Sequence, residues 1–218
     1  FGLLIAIVRG FRTLDRQCRE GVWRESIPQP PNVSGKKLGI LGLGTIGQKI
    51  ARRAAGFDME IGYHNRSPRE GSPHRYFGDL KSLAAWADVL MLAAAGGEGT
   101  RHLVNAEVLD ALGPQGFLVN VARGSVVHEA ALAAALQGGR IAGAGLDVFE
   151  DEPRPLPALL ALDNVVLAPH IASGTHETRR AMADLVLANL AHCLATGRPV
   201  AEVPWSAEAA AARQAQAA

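Results

Sequence analysis

Two side chains that could perform chemistry stand at the ends of predicted strands, Arg123 after residues 116–121 and His170 after residues 164–168. Ligands of doubly wound folds bind at the carboxyl ends of parallel strands, where a guanidinium suits a carboxylate. Arg123 by itself would equally fit a surface position. His170 is the one histidine of seven that ends an apolar strand before a small-residue turn. A histidine there makes a structural hydrogen bond or transfers a proton, and its neighbours favour proton transfer.

An acidic loop supplies the third kind of chemical group, within the sequence Asp-Val-Phe-Glu-Asp-Glu-Pro at residues 147–153. Asp147 ends another predicted strand, and Glu150, Asp151 and Glu152 follow it. We interpret two of these three loop acids as solvated. The pattern alone leaves open which acid would act with the histidine.

A glycine motif, Gly-Leu-Gly-Thr-Ile-Gly at residues 42–47, directly follows the apolar run 38–41. Gly42 permits a tight turn, Gly44 lets the backbone approach phosphates, and Gly47 lets the next helix pack closely on the strand. The helix then directs its N-terminal N–H groups at the phosphates. An ordinary strand-to-helix turn is the alternative, but the strand before and the helix after the motif favour a dinucleotide site.

The end of the second predicted strand indicates which dinucleotide binds. An NAD site usually has Asp or Glu there to bind the ribose 2′-OH, whereas this chain has His64, followed by Asn65, Arg66 and Ser67. A carboxylate would repel a 2′-phosphate, and Arg66 can bind one. A solvated basic loop is the alternative. We therefore expect NADPH (NADP) as the preferred cofactor, with NADH possible.

Composition excludes several classes of partner. The net charge of +1, with no block of Lys or Arg, gives no reason to expect nucleic acid. Residues 1–8 are apolar but too short to span a bilayer, so no membrane contact is expected. Cys18 and Cys193 fit no metal or redox spacing, which favours inert thiols in a reducing, cytoplasmic setting.

The order of predicted elements indicates the fold class. A first amphipathic helix, residues 1–19, leads through a proline-rich linker to alternating strands and helices. Strands are predicted at 37–42, 59–63, 88–93, 116–121, 141–146 and 164–168. Helices are predicted at 46–56, 80–86, 105–111, 127–137 and 175–195. This alternation predicts an α/β fold with a doubly wound parallel sheet, a Rossmann domain.

Four stretches of the chain carry a family resemblance, residues 41–47, 119–124, 145–153 and 168–171. In this order and spacing the chain resembles the D-isomer-specific 2-hydroxyacid dehydrogenases. Within them it is similar to the NADPH-preferring hydroxypyruvate, glyoxylate and hydroxyphenylpyruvate reductases. The likeness covers about residues 1–204.

The resemblance implies a role for each candidate residue. Arg123 would bind the substrate carboxylate, and His170 would protonate the 2-keto oxygen during hydride transfer. The spacing from Arg123 (152 − 123 = 29) makes Glu152 the acid that orients His170. The expected cofactor-binding residues are Gly42, Gly44, Thr45, Ile46, Gly47, His64, Asn65, Arg66, Ser67, Ala122 and Asp147. Asp147 would contact the nicotinamide carboxamide.

The resemblance also implies a domain division. Residues 1–31 would belong to or bridge a substrate domain that is otherwise missing, and residues 32–173 would form the dinucleotide-binding domain. Residues 174–204 would return toward the substrate domain. The Ala- and Gln-rich composition separately predicts a disordered tail at 205–218. The apolar face of the last helix is then expected to be partly exposed, and its residues are Met182, Leu185, Val186 and Leu190.

Two other functions compete with a homodimeric NADPH-dependent 2-keto acid reductase. A non-catalytic NAD(P)-binding interaction or sensor protein could retain the same Arg, Glu and His, so turnover on keto acids must separate the two. A 3-hydroxyacid type of reductase would need a catalytic Lys or Tyr near the nicotinamide, and the sequence offers no well-placed candidate.

Overall fold

The computed structural model describes residues 1–201 of the chain, so the predicted tail at 205–218 lies outside the described residues. At its centre is a parallel sheet of seven strands in the order β3-β2-β1-β4-β5-β6-β7. The strands are β1 Lys37–Leu41, β2 Glu60–His64, β3 Arg75–Tyr76, β4 Val89–Leu92, β5 Phe117–Asn120, β6 Gly143–Leu146 and β7 Val165–Leu167.

The doubly wound parallel sheet is confirmed, and all six predicted strands are present. The strand that the sequence does not predict, β3, is two residues long and pairs only with Gly62 and Tyr63 of β2. Strand order reverses between β1 and β4, which makes the carboxyl ends of these two strands the expected crevice for a ligand.

Helices cover both faces of the sheet, and one of them differs from its prediction. The helices up to His170 are α1 Gly2–Val8, α2 Phe11–Arg19, α3 Thr45–Ala54, α4 Leu80–Trp86, α5 Ala106–Leu112, α6 Glu129–Gln137 and α7 Pro157–Leu160, and the one after it is α8 His176–Thr196. The prediction of one helix over residues 1–19 is wrong, because Gly10 adopts a left-handed conformation (φ 63°) that separates α1 from α2.

The core consists of two apolar layers, one on each face of the sheet. Alternate residues of a strand enter opposite layers: Leu90 packs with α4, α5 and α6, whereas Met91 packs with α1 and α3. Strands β4, β5 and β6 are buried along their whole length. Burial on both faces explains why these strands are nearly continuous apolar runs in the sequence.

Helix α1 belongs to the apolar layer on one side of the sheet. Its residues Leu4, Ile7 and Val8 are buried, and the helix lies against β5, β6 and β7. The assignment of residues 1–31 to a substrate domain stays a prediction. What the structure adds is that α1 completes the sheet's own core.

The chain divides into two compact units, one spanning Phe1–His170 and the other beginning at Ile171. In the second unit α8 is preceded by its N-cap Thr175, whose side chain accepts a hydrogen bond from the Thr178 N–H, and followed by its C-cap Gly197. No residue of α8 is buried, and the predicted apolar face is exposed at Met182, Leu185, Val186 and Leu190. Among residues 1–201, no helix is both long and apolar enough to cross a membrane.

Candidate functional site

The glycine turn after β1 is shaped by two close backbone approaches. Gly42 has φ +95°, and a Cβ built on it would lie 2.7 Å from the Ala94 Cα. A Cβ on Gly47 would lie 2.1 Å from the Gly42 carbonyl oxygen. A Cβ on Gly44 would meet no protein atom within 4 Å, although Gly44 lines two cavities. The turn therefore leaves open space at the position where a phosphate group would approach the backbone.

The N-terminus of α3 supports the same interpretation. The N-cap residue of α3, Gly44, has no side chain to accept a backbone hydrogen bond, and α1, α2 and α7 likewise have no side-chain cap. The first N–H groups of α3, which have no partner in the helix, are available to an anion. The donor set of α3 therefore fits a pyrophosphate.

One cavity, which we call the β2-side cavity, has a volume of about 520 Å³ and lies beside the glycine turn. It is lined by Gly42 and Gly44 and by four residues at the end of β2: His64, Asn65, Arg66 and Ser67. The Asn65 side-chain oxygen accepts a 2.7 Å hydrogen bond from the Leu43 N–H, so this residue braces the glycine turn. His64 Nδ1 lies 2.8 Å from the Phe77 carbonyl oxygen.

A second cavity, the β5-side cavity, has a volume of about 850 Å³. It shares Gly44 and residues 94–97 with the β2-side cavity, so one elongated ligand could occupy both. Its other lining residues include most of the remaining candidates: Thr45, Ile46, Ala122, Arg123, Glu152 and His170.

Two predicted site residues do not line either cavity. Gly47 acts through close packing of α3 on the turn. Asp147 is 3% exposed, and its backbone N–H donates to the Asn120 carbonyl oxygen over 3.0 Å. The contact of Asp147 with a nicotinamide therefore stays a prediction.

Asn120, to which the sequence analysis gave no role, shapes the loop that carries Arg123. This residue is 1% exposed; its side-chain oxygen accepts from the Ala122 N–H and its amide donates to the Arg123 carbonyl, each over 3.0 Å. The loop leaves the Arg123 side chain exposed, and its guanidinium donates to the Ala122 carbonyl over 2.7 Å. A polar residue at the end of an apolar strand is the signal that could have identified it.

Gly124 brings the arginine loop against the acidic loop. A Cβ on Gly124 would lie 1.9 Å from the Phe149 carbonyl carbon and 2.4 Å from the Glu150 nitrogen. No side chain fits between the two backbones, so glycine is required here. This contact holds Arg123 and Glu152 at one cavity although 28 residues separate them in the sequence (152 − 123 − 1).

Glu152 and His170 form a hydrogen-bonded pair. His170 Nδ1 lies 2.8 Å from Glu152 Oε2, and the Phe149 N–H donates to the other carboxylate oxygen over 3.0 Å. The hydrogen bond from His170 lowers the pKa of Glu152, with smaller contributions from the Phe149 N–H and the charge of Arg123. With Nδ1 engaged, Nε2 is the ring nitrogen available to a ligand. His170 has a left-handed backbone (φ 52°), a strained conformation typical of functional positions.

The interpretation of Glu150 as a solvated acid is wrong, because its carboxylate joins three segments. It accepts hydrogen bonds from His102 Nε2 and from the Glu129 N–H, while the Glu150 N–H donates to Glu129 Oε1 over 2.7 Å. Burial alone would raise the pKa of Glu150, yet the hydrogen bonds from His102 and the Glu129 N–H, together with the charge of Arg101, hold it below its usual value. Asp151 is solvated.

His102, which bonds Glu150, lies beside a second histidine, His128. Both are half-buried, and their rings lie 4.6 Å apart. Glu129 is buried, and this burial raises its pKa. Among residues 1–201, no group of three or more His, Cys, Asp or Glu side chains could hold a metal ion.

Comparison of the sequence with known proteins identifies a matching family and several relatives. A family model described as the NAD-binding domain of D-isomer specific 2-hydroxyacid dehydrogenases matches residues 1–172. A 2-ketogluconate reductase from Gluconobacter oxydans is 50% identical over 189 residues, which are 86% of this chain and 61% of the relative. A hydroxyphenylpyruvate reductase from Plectranthus scutellarioides is 45% identical over 91% of this chain and 64% of the relative. The chain therefore spans less than two thirds of these relatives' length.

A solved structure extends the likeness to three dimensions. The NADPH-dependent glyoxylate/hydroxypyruvate reductase of Sinorhizobium meliloti, in complex with NADP and malonate, matches with a TM-score of 0.86 and 46% identity. The match covers 93% of this chain and 64% of that chain.

Proposed function

Because the chain belongs to the D-isomer specific 2-hydroxyacid dehydrogenase family, whose NAD-binding domain it contains, we propose that it serves the NADPH-dependent reduction of a small 2-keto acid. The product would be the D-2-hydroxy acid, and the substrate would resemble hydroxypyruvate or glyoxylate. The observation that carries this proposal is that Arg123 and the Glu152–His170 pair line one cavity with the glycine turn. The family consists of oxidoreductases. Each of these residues would take a part in the proposed reduction.

NADPH is the cofactor that the β2-side cavity fits best. The Arg66 side chain is exposed at this cavity, and His64 stands where an NAD site would have a carboxylate. Arg66 and Ser67 would hold the 2′-phosphate, while the N-terminus of α3 and the turn at Gly44 would hold the pyrophosphate. The bound NADP in the Sinorhizobium meliloti reductase supports this choice. NADH would bind more weakly.

Arg123 would bind the substrate and polarise its reacting carbonyl. The guanidinium presents several N–H donors in one plane, which suits a carboxylate and the adjacent keto oxygen together. Because negative charge develops on that oxygen during reduction, donors placed beside it stabilise the transition state more than the ground state. Bound NADPH supplies the hydride that C2 of the substrate receives.

His170 would supply the proton. Its Nε2–H would donate to the keto oxygen, and in the reverse direction Nε2 would accept the proton from the hydroxyl group. Glu152 fixes the orientation of the ring by accepting a hydrogen bond from Nδ1–H. The Phe149 N–H keeps the Glu152 carboxylate in place for this task.

The proposed setting of the enzyme is a homodimer in the cytoplasm. Two exposed aromatic side chains offer apolar surface to a second copy of the chain: Phe11 at the start of α2, and Trp23 after that helix ends. Cys18 and Cys193 are free thiols, which suits a reducing compartment.

Oxidation of NADPH by this chain in the presence of hydroxypyruvate or glyoxylate tests the proposal, with binding of NADPH and NADH measured separately by fluorescence titration. Turnover that favours NADPH and is lost in Arg123→Ala supports the reductase. NADPH binding without turnover on either acid would favour the alternative, a non-catalytic NAD(P)-binding sensor protein. Absence of nucleotide binding would contradict both.

A further inference from the structure

The loop that would receive the 2′-phosphate, residues 65–69, is fixed by two tyrosine hydroxyls. Tyr63 lies on β2 and its hydroxyl oxygen accepts a 2.8 Å hydrogen bond from the Arg69 N–H. Tyr76 lies opposite it on β3 and its hydroxyl donates to the Asn65 carbonyl oxygen over 3.3 Å. The two hydroxyls therefore hold the first and the last residue of the loop.

Both tyrosine rings are themselves held in place. Tyr63 is 1% exposed, and its ring packs against the Tyr76 ring with centroids 5.5 Å apart. A buried ring with two torsions has little freedom, so its hydroxyl is a fixed point for the exposed loop. On the opposite side, the Asn65 side chain ties the same loop to Leu43 of the glycine turn.

The residues between these anchors carry the charge. Arg66 and Ser67 both line the β2-side cavity and are exposed. Within residues 1–201 the Arg66 side chain makes no hydrogen bond or ion pair, so its guanidinium is free to bind an anion. Since no side chain among the described residues orients it, the backbone of the loop determines where its charge lies.

Resting on the NADPH-dependent function proposed above, we infer that the Tyr63 and Tyr76 hydroxyls are positioning groups for recognition of the cofactor's 2′-phosphate. They order residues 65–69 when the protein folds. The entropy cost of ordering this loop is therefore not subtracted from the free energy of cofactor binding. NADH has no 2′-phosphate for Arg66 to contact, so its binding depends less on the order of this loop. The tyrosines thereby contribute to cofactor preference without touching the cofactor's redox-active ring.

Substitution by phenylalanine tests this inference because it removes only the hydroxyl oxygen and keeps the ring. One hydrogen bond corresponds to about a 3- to 10-fold change in affinity. We expect Tyr63→Phe to weaken NADPH binding by about this factor and to change NADH binding less than about 2-fold. Tyr76→Phe, which loses a longer bond on the edge strand, is expected to weaken NADPH binding about 2-fold.

Ser72→Ala is the matched control. It also removes one hydroxyl, which accepts a 3.3 Å hydrogen bond from the His74 N–H just beyond the loop. Its ratio of NADPH to NADH affinity is expected to equal that of the wild type. Hydrogen exchange gives a second readout: the Arg69 amide is expected to exchange faster in Tyr63→Phe and at the wild-type rate in Ser72→Ala.

The outcomes separate this inference from the proposed function. If the wild type shows no preference for NADPH, the cofactor assignment is overturned and this inference with it. If the wild type prefers NADPH and both tyrosine variants keep the wild-type ratio, only the inference is overturned. A loss of thermal stability with an unchanged affinity ratio would likewise show that the hydroxyls act structurally.

Discussion

The loop after β2 and the loop after β6 both line the candidate site, but different kinds of bond hold them. Neutral groups fix the loop after β2: the hydroxyls of Tyr63 and Tyr76 and the side-chain amide of Asn65. Carboxylates fix the loop after β6, where Glu152 bonds His170 and Glu150 bonds His102. The first loop presents a charge that does not change between acid and neutral pH, whereas the second consists of groups that titrate.

This difference separates two tasks. Recognition of a phosphate requires a permanent positive charge in a fixed place, and an arginine on a neutrally anchored loop provides it. Proton transfer requires a group that can donate a proton to the reacting oxygen, and a histidine held by a carboxylate provides that. We therefore expect loss of Arg66 to change mainly cofactor preference and loss of His170 to change mainly turnover.

The largest expected effect lies in the loop region of β6 and β7. His170→Ala removes the proton donor, and we expect kcat for 2-keto acid reduction to fall by about 10²- to 10⁴-fold. NADPH affinity, measured by fluorescence titration, is expected to stay within about 2-fold because the phosphate-binding loops are untouched. His176→Ala, an exposed position on α8, serves as the control. Equal turnover in wild type and His170→Ala would contradict the assigned role.

The next effect lies in the loop after β2. Arg66→Ala removes the charge that would pair with the 2′-phosphate, and we expect NADPH affinity to fall by about 10- to 100-fold while NADH affinity is retained. Arg52→Ala, which removes an exposed arginine from the last turn of α3, is the matched control. Preference for NADPH that survives in Arg66→Ala would refute the cofactor assignment.

A smaller effect is expected at the contact between the arginine loop and the acidic loop. Gly124→Ala places a methyl group against the Phe149 backbone, which must move, and we expect a loss of about 1–3 kcal/mol in the free energy of unfolding. Urea denaturation measures this loss. Gly56→Ala is the control, because a Cβ there meets no atom within 4 Å. Equal stability of the two variants would show that the loops separate easily.

The smallest effect concerns acid stability. The pKa of Glu152 is lowered in the folded protein, so its contribution to stability is present above the ordinary carboxyl pKa and is lost as the pH falls through the lowered value. The carboxylate is partly exposed, so the change in melting temperature should be slight. Glu152→Gln should lose less stability than the wild type as the pH falls below about 4.5. Parallel curves for wild type and Glu152→Gln would contradict this account.

The elements of the fold were predictable where the signal is local. Apolar runs mark the six longer strands because their side chains enter the core layers, on both faces of the sheet in β1, β4 and β5. Thr175 and Gly197 mark the ends of α8. Gly10 is a local signal of the same kind, because a glycine inside a helical pattern marks a position where the helix can break. Strand β3 was not predictable, because two residues are too few to show an alternating pattern.

Part of the site depended on contacts that no spacing rule describes. Arg123, Glu152 and His170 could be selected from strand ends and a resemblance. The bond between Glu150 and His102 joins residues 48 positions apart, so an acid that looked solvated is held by tertiary structure. The tyrosine hydroxyls were likewise hidden, since Tyr63 reads in the sequence only as an apolar strand residue.

The wall that the two cavities share, residues 94–97, has the sequence Ala-Ala-Gly-Gly and carries no side chain larger than a methyl group. The Thr100 hydroxyl holds its backbone by donating to the Ala95 and Gly97 carbonyls. Because these four residues have no charged side chain, the wall limits a ligand by its width and not by its charge. A bulkier residue at position 95 would narrow both the β2-side cavity and the β5-side cavity. This position therefore offers a means of tuning the size of the molecules admitted without altering the groups that recognise them.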